Sequence, residues 1–211
     1  MSKVRTGSLL VAAALAAALG GYWLAQQLDR ATPRLTSGTW LPQPRVVRDF
    51  ALTDSTGRAF TRASLGGAPS LVYFGFTHCP DVCPATLRKL AQVRKAAALP
   101  ALRVLLVSVD PQRDTPALLG TYVHAFDPEF LGLTGDPQAI ARMAADFAVA
   151  VNRVELPGGD YTMDHSAVVF LLDASARIVA VFTPPFEVSP LAADLRRAAP
   201  RLSARAVRSP T

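Results

Sequence analysis

A nearly unbroken apolar run, Ser70 to Phe76 (SLVYFGF), leads straight into Phe76 to Pro84 (FTHCPDVCP), and no other feature constrains the chain as much. A strand that is apolar on both faces has to lie in the interior of a sheet covered on both sides. Pro84 is tolerated in the first turn of a helix and not further in, so a helix starts near Cys83. From Val82 to Leu99 the apolar residues Leu87, Leu90, Val93 and Ala97 recur at helical spacing. The chain's 2 cysteines, Cys79 and Cys83, therefore sit between the end of a buried strand and the start of a helix. Unpaired amides and the helix dipole at that position are expected to stabilise thiolate and lower the thiol pKa.

The remaining segments alternate in the same way. Asp49 to Thr53 and Arg58 to Thr61 flank the turn Asp54 to Gly57 (DSTG) and read as a short hairpin. Leu102 to Val109 is a second buried strand. Thr115 to Phe126 reads as a helix with Thr115 as N-cap and Pro116 at its first position, and Asp136-Pro137 repeats that signal for a helix to about Phe147. Ala167 to Leu172 and Ile178 to Phe182 pair across Asp173 to Ala176 (DASA), and a last helix spans Pro190 to Ala198. The stretch carrying His165 follows the turn-rich Pro157 to Asp160 (PGGD) and reads as a mobile loop. The pattern is α/β with a thioredoxin-like layout, a central mixed sheet flanked by helices. A chain of 211 residues accommodates one such domain, expected over residues 47–198, plus additional segments.

Those segments are at the ends. Residues 1–7 are basic; residues 8–25 (SLLVAAALAAALGGYWLA) carry no charge. Eighteen helical residues rise about 27 Å, close to the hydrocarbon thickness of about 30 Å. Lys3 and Arg5 before the run orient its N-terminus to the cytoplasm and the rest of the chain across the membrane. A cleaved signal peptide is the rival reading, disfavoured by Gly20-Gly21-Tyr22-Trp23 as a cleavage context. Residues 26–46 read as a tether and residues 199–211 as a disordered basic tail. Lys3, Arg5 and five arginines from Arg196 to Arg208 account for the basic balance: without those seven, the net +6 becomes −1 for residues 6–195. A near-neutral body lacks the electrostatic footprint of a nucleic-acid binder.

Three readings of the cysteine pair compete. A structural disulfide would close too small a loop to add much stability. A redox dithiol is favoured by export, but redox thioredoxins place two residues between their cysteines and a cis-proline before the penultimate strand. Here there are three, and Met163 to Ala167 (MDHSA) has no proline. A soft metal site fits two thiolates and one imidazole, a donor set suited to Cu(I) and, with an added oxygen, to Cu(II). Zinc in a structural site would need a fourth protein ligand.

Phe74 to Pro84 (FGFTHCPDVCP), Val107 to Thr115 (VSVDPQRDT) and Asp160 to Ser166 (DYTMDHS), in that order, resemble the Sco/SenC family of copper chaperones over residues 47–198. The resemblance implies a thioredoxin-like domain on a membrane anchor, with copper held by Cys79, Cys83 and His165 and with a reversible Cys79–Cys83 disulfide. It also implies a partner, cytochrome c oxidase subunit two, whose dinuclear copper centre the protein serves by delivering copper or preparing thiols. A thiol reductase and a copper donor protein complete the set, in the periplasm or the mitochondrial intermembrane space. His78, Asp81, Asp110 and Asp164 are expected to orient ligands without binding metal themselves. The alternative is an exported thiol-disulfide oxidoreductase or peroxidase-like protein using the same cysteines.

Overall fold

The structure, a computed structural model, describes residues 14–23 and 33–203. The chain divides into two compact units, Met1–Pro33 and Arg34–Thr211. In the first, residues 14–23 form helix α1. Among the described residues no helix is long and apolar enough to cross a membrane, and the rest of the uncharged run 8–25 lies outside them.

The second unit is built on an eight-stranded sheet. Its strands are β1 (Thr39–Val46), β2 (Ala51–Asp54), β3 (Ala59–Thr61), β4 (Ser70–Gly75), β5 (Arg103–Ser108), β6 (Leu131–Thr134), β9 (Val169–Leu172) and β10 (Arg177–Phe182). They lie in the order β1-β10-β9-β4-β5-β6-β2-β3. Strands β4, β5 and β6 run parallel, and the remaining pairings are antiparallel. Every residue of β4 is buried between β5 and β9, as its two-sided apolar run requires. Helices α2 (Arg62–Leu65), α3 (Val82–Ala97), α4 (Pro116–His124), α5 (Pro137–Asp146) and α6 (Val188–Leu202) complete the unit. The N-caps read from sequence are present: Thr115 accepts from Leu118 N–H, and Asp136 accepts from Gln138 and Ala139 N–H. Buried Leu87, Leu90 and Val93 on α3 and Leu191, Leu195 and Leu202 on α6 join the core of the sheet.

Three segments depart from the sequence reading. Residues 39–46, read as part of a tether, form strand β1 on β10, with a break in register between Trp40 and Arg45. Pro42 and Pro44 are compatible with an edge strand, and they hide its period. Upstream, the Thr36 and Ser37 N–H groups donate to the fully buried Asp194 carboxylate at 2.7–2.9 Å, an attachment that leaves no mark on periodicity. The expected tail begins later than Ala198, because α6 continues to buried Leu202, whose carbonyl accepts from Ala174 N–H at 2.8 Å. Residues 204–211 lie outside the described residues. Finally, the His165 loop is a strand: β7 (Val151–Glu155) and β8 (Tyr161–His165) form a separate two-stranded sheet, with His165 opposite Val151. Gly158 and Gly159, at φ +89° and +85°, turn the hairpin through a region that side chains rarely adopt.

Candidate metal centre

In open α/β sheets, ligands collect at the carboxyl ends of the parallel strands. Here β4 ends at Gly75 and delivers residues 76–81 to that edge, and β5 ends at Ser108 and delivers 109–115 beside them. Strand β9 runs antiparallel to β4 with Val169 opposite Tyr73, so the chain just before it arrives at the same edge. That register brings His165, distant in sequence, to the cysteines. Its Nε2 lies 3.5 Å from Cys83 Sγ.

Cys83 is in the first turn of α3 and fully buried, whereas Cys79 is on the preceding loop, half-buried. Both are free thiols, and Cys83 N–H points at Cys79 Sγ from 3.4 Å. The expectation of a lowered pKa fails for Cys83. Burial pushes its thiol up to about 12, against smaller stabilisation from the Tyr73 hydroxyl and the Phe76 backbone. Loss of water outweighs the helix N-terminus because the sulfur faces inward beneath β4. A Cβ on Gly75 would come within 3.1 Å of Cys83 Sγ, Leu106 Cδ1 and Tyr73 Cε1, so the absence of a side chain there makes room for the sulfur.

His165 is biased toward its neutral form. Burial lowers its pKa, opposed by the Ser166 carbonyl and the Asp164 carboxylate. Nδ1 lies 3.3 Å from Ser166 O, and a proton donated there leaves Nε2 with a lone pair directed at Cys83. Tyr73 and Phe76 make T-shaped contacts with the imidazole, with ring centroids at 6.0 and 5.9 Å.

The donors suit a soft ion. Two ligands bound tetrahedrally at about 2.1 and 2.3 Å would lie about 3.6 Å apart, close to the Cys83–His165 spacing. Among the described residues, the two sulfurs and Nε2 do not all lie within 4.8 Å of one another, so the donors have to draw together to complete a three-donor site. The arrangement can capture a thiophilic ion, hold it at a buried thiol and imidazole, and open at the more exposed thiol, Cys79.

The residues expected to orient ligands divide. Asp81 and Asp164 are exposed, and among the interactions described Asp164 acts on His165 only through its charge. Asp110 is buried, accepts the Tyr161 hydroxyl at 2.8 Å and pairs with Arg113 at 2.5 Å. His78 is exposed with Nδ1 2.9 Å from Thr77 Oγ1, which donates to buried Asp114 at 2.5 Å. His78, Asp110 and Asp114 place one atom each within 4.8 Å of one another. Asp114 also accepts from Ser108 at 2.6 Å and from Thr77 N–H, and Asp110 is neutralised by Arg113, so both carboxylates already have strong partners. Sequence reasoning missed Tyr73, which donates to Cys83 Sγ at 3.5 Å. Its signal was legible: a tyrosine in a wholly buried strand needs a partner for its hydroxyl.

Fold and site together define a thioredoxin-like domain with a thiol–imidazole donor set at the carboxyl edge of its sheet. Residues 39–200 match the SCO1/SenC family, and the chain belongs to that family. It is 41% identical to the bovine mitochondrial SCO2 homolog over 171 residues, 78% of this chain and 64% of the relative's length. Among solved structures it resembles copper-bound ScoI of Bradyrhizobium japonicum (42% identity, TM-score 0.67, 72% of this chain and 98% of that one). It also resembles copper-bound ScoI of Arabidopsis thaliana (32% identity, TM-score 0.71, 74% and 99%).

Proposed function

We propose that this chain is a membrane-tethered copper metallochaperone whose cargo ion is held by Cys79, Cys83 and His165. The observation carrying this reading is the buried Cys83 Sγ facing His165 Nε2 at 3.5 Å, with Cys79 on the loop that leads into α3, its sulfur 3.4 Å from Cys83 N. Copper in the related ScoI structures supports it. Neutral imidazole needs no deprotonation before it binds, whereas each thiol releases a proton as it takes up metal. The high pKa of Cys83 lets the metal-free thiol stay protonated, and so poorly nucleophilic, in an oxidising compartment.

The cargo's destination is the dinuclear copper centre of cytochrome c oxidase subunit two, to which the chain delivers copper or whose thiols it prepares. An incoming target thiolate would first displace Cys79, the more accessible ligand. Export through the uncharged run 8–25, retained as an anchor, sets the domain in the periplasm or intermembrane space. There a thiol reductase keeps Cys79 and Cys83 from forming a disulfide, and a donor protein supplies the copper.

The test is anaerobic titration of the reduced full chain with Cu(I) against a competing chelator, alongside Cys83→Ser and His165→Ala. The expected result is one copper per chain, weakened strongly by both substitutions. Weak binding indifferent to His165, with rapid reduction of disulfides by the same chain, would return the function to an oxidoreductase.

A further inference from the structure

The arm that carries His165 has little to hold it in place. An isolated two-stranded hairpin is marginally stable in water. Among the described residues the β7–β8 hairpin pairs with no third strand, and four of the five residues of β7 are exposed. Val151 and Met163 pack against the core from part-buried positions. A ligand has to be held to within roughly 0.5 Å to act as one. Something besides strand pairing must therefore fix the hairpin.

Residues 110–114, the loop after β5, meet this need. Tyr161 donates its hydroxyl to Asp110 at 2.8 Å. Arg113 Nη1 donates to the Tyr161 carbonyl at 3.0 Å and reaches Asp160 at 3.3 Å. Arg153 Nη1, on the other strand, donates to Gln112 at 3.2 Å. The Arg113 and Arg153 guanidinium carbons lie 3.7 and 3.6 Å from the Tyr161 ring centroid. At that distance each must lie over a face rather than at the edge, and two cations can do so only from opposite sides, so the ring is sandwiched. The same loop holds the cysteine segment from its other end: Asp114 accepts Thr77 N–H at 3.2 Å and Thr77 Oγ1 at 2.5 Å, two residues before Cys79.

We propose that loop 110–114 is a clip that fastens the His165 arm to the cysteine loop, with Tyr161 as its pin. Tyr161, Arg113 and Arg153 are positioning residues that set how readily His165 leaves a bound copper ion. The inference rests on copper as the cargo, but the clip itself is a property of the metal-free chain.

The test compares the unaltered full chain with Tyr161→Leu, which loses ring and hydroxyl, and Tyr161→Phe, which keeps the sandwich. Amide hydrogen exchange of the reduced, metal-free chain is the first measurement. In Tyr161→Leu, residues 151–155 and 161–165 exchange about tenfold faster while β4 and β5 do not change, and Tyr161→Phe falls between. The second measurement is release of Cu(I) to a chelator, expected to speed up in the same order. Arg113→Gln supplies an independent variant. Unchanged hairpin exchange in Tyr161→Leu, or β4 and β5 accelerating equally, overturns the clip. A loosened hairpin with copper release unchanged in Tyr161→Leu overturns the role of the clip in release, whereas release unchanged in a parallel His165→Ala chain overturns the copper reading instead.

Discussion

The β4–α3 junction and the β7–β8 hairpin each supply one donor of the facing pair, and they are built in opposite ways. The junction is core: all of β4 is buried, Cys83 has no exposed surface, and Gly75 lacks a side chain so that the sulfur can pack under the strand. The hairpin is periphery, a separate two-stranded sheet fastened by side chains of loop 110–114. One donor is fixed by the hydrophobic effect, which is strong and cannot be switched, and the other by a few polar contacts of about 1 kcal/mol each, which can. A carrier that must hold a metal and then surrender it gains from that division.

The contrast can be broken most decisively in the core. Phe74→Ala removes a fully buried ring that packs edge-on against Phe147 and Phe170, and should cost about 3–5 kcal/mol in urea unfolding. Val154→Ala on the exposed face of the hairpin should change the same measurement by less than about 0.5 kcal/mol. Equal costs would mean that the hairpin belongs to the cooperative core. Gly75→Ala comes next, at about 1–3 kcal/mol, because three core atoms stand 3.1 Å from the new methyl group. It should also weaken copper binding by displacing Cys83, whereas an unperturbed site would show that the strand can shift to accommodate the methyl.

A separate set of effects is in the pH dependence of the reduced, metal-free chain, and the two donors pull from opposite ends. The folded pKa of His165 lies below its ordinary 6.5, so its contribution to stability is full above that value and is lost as pH falls below it. Cys83 is raised from 9.0 to about 12, so its contribution is full below pH 9.0 and is lost progressively up to about 12. Chemical unfolding across pH should show both shoulders. His165→Gln should flatten the acid one and Cys83→Ala the alkaline one, each leaving the other in place.

The same contrast explains what could be read from the sequence. The junction was legible because hydrophobic runs, a helical stripe and Pro84 all encode local structure, and the resemblance to the Sco/SenC motifs picked out Cys79, Cys83 and His165. The proximity of His165 to Cys83 has a different origin, the antiparallel register of β9 on β4, which no local pattern reports. Strand β7 was lost because Val151 to Glu155 (VNRVE) is short and largely exposed. Strand β1 was hidden by Pro42 and Pro44 on an edge. The pKa of Cys83 was misjudged because the helix dipole is local and visible in sequence, whereas burial by Tyr73, Leu106 and the sheet is tertiary. Asp110 was singled out and Arg113 lies three residues from it, but its partner Tyr161 emerges only when two distant segments meet.

X-ray absorption at the copper edge of the Cu(I)-loaded, reduced full chain addresses the central claim most directly, because it counts sulfur and nitrogen neighbours separately. A site shared by core and arm predicts two sulfurs and one imidazole nitrogen, with the nitrogen lost in His165→Ala and one sulfur lost in Cys83→Ser. A sulfur-only shell that is unchanged by His165→Ala would contradict it, and would leave the hairpin with no part in holding the metal.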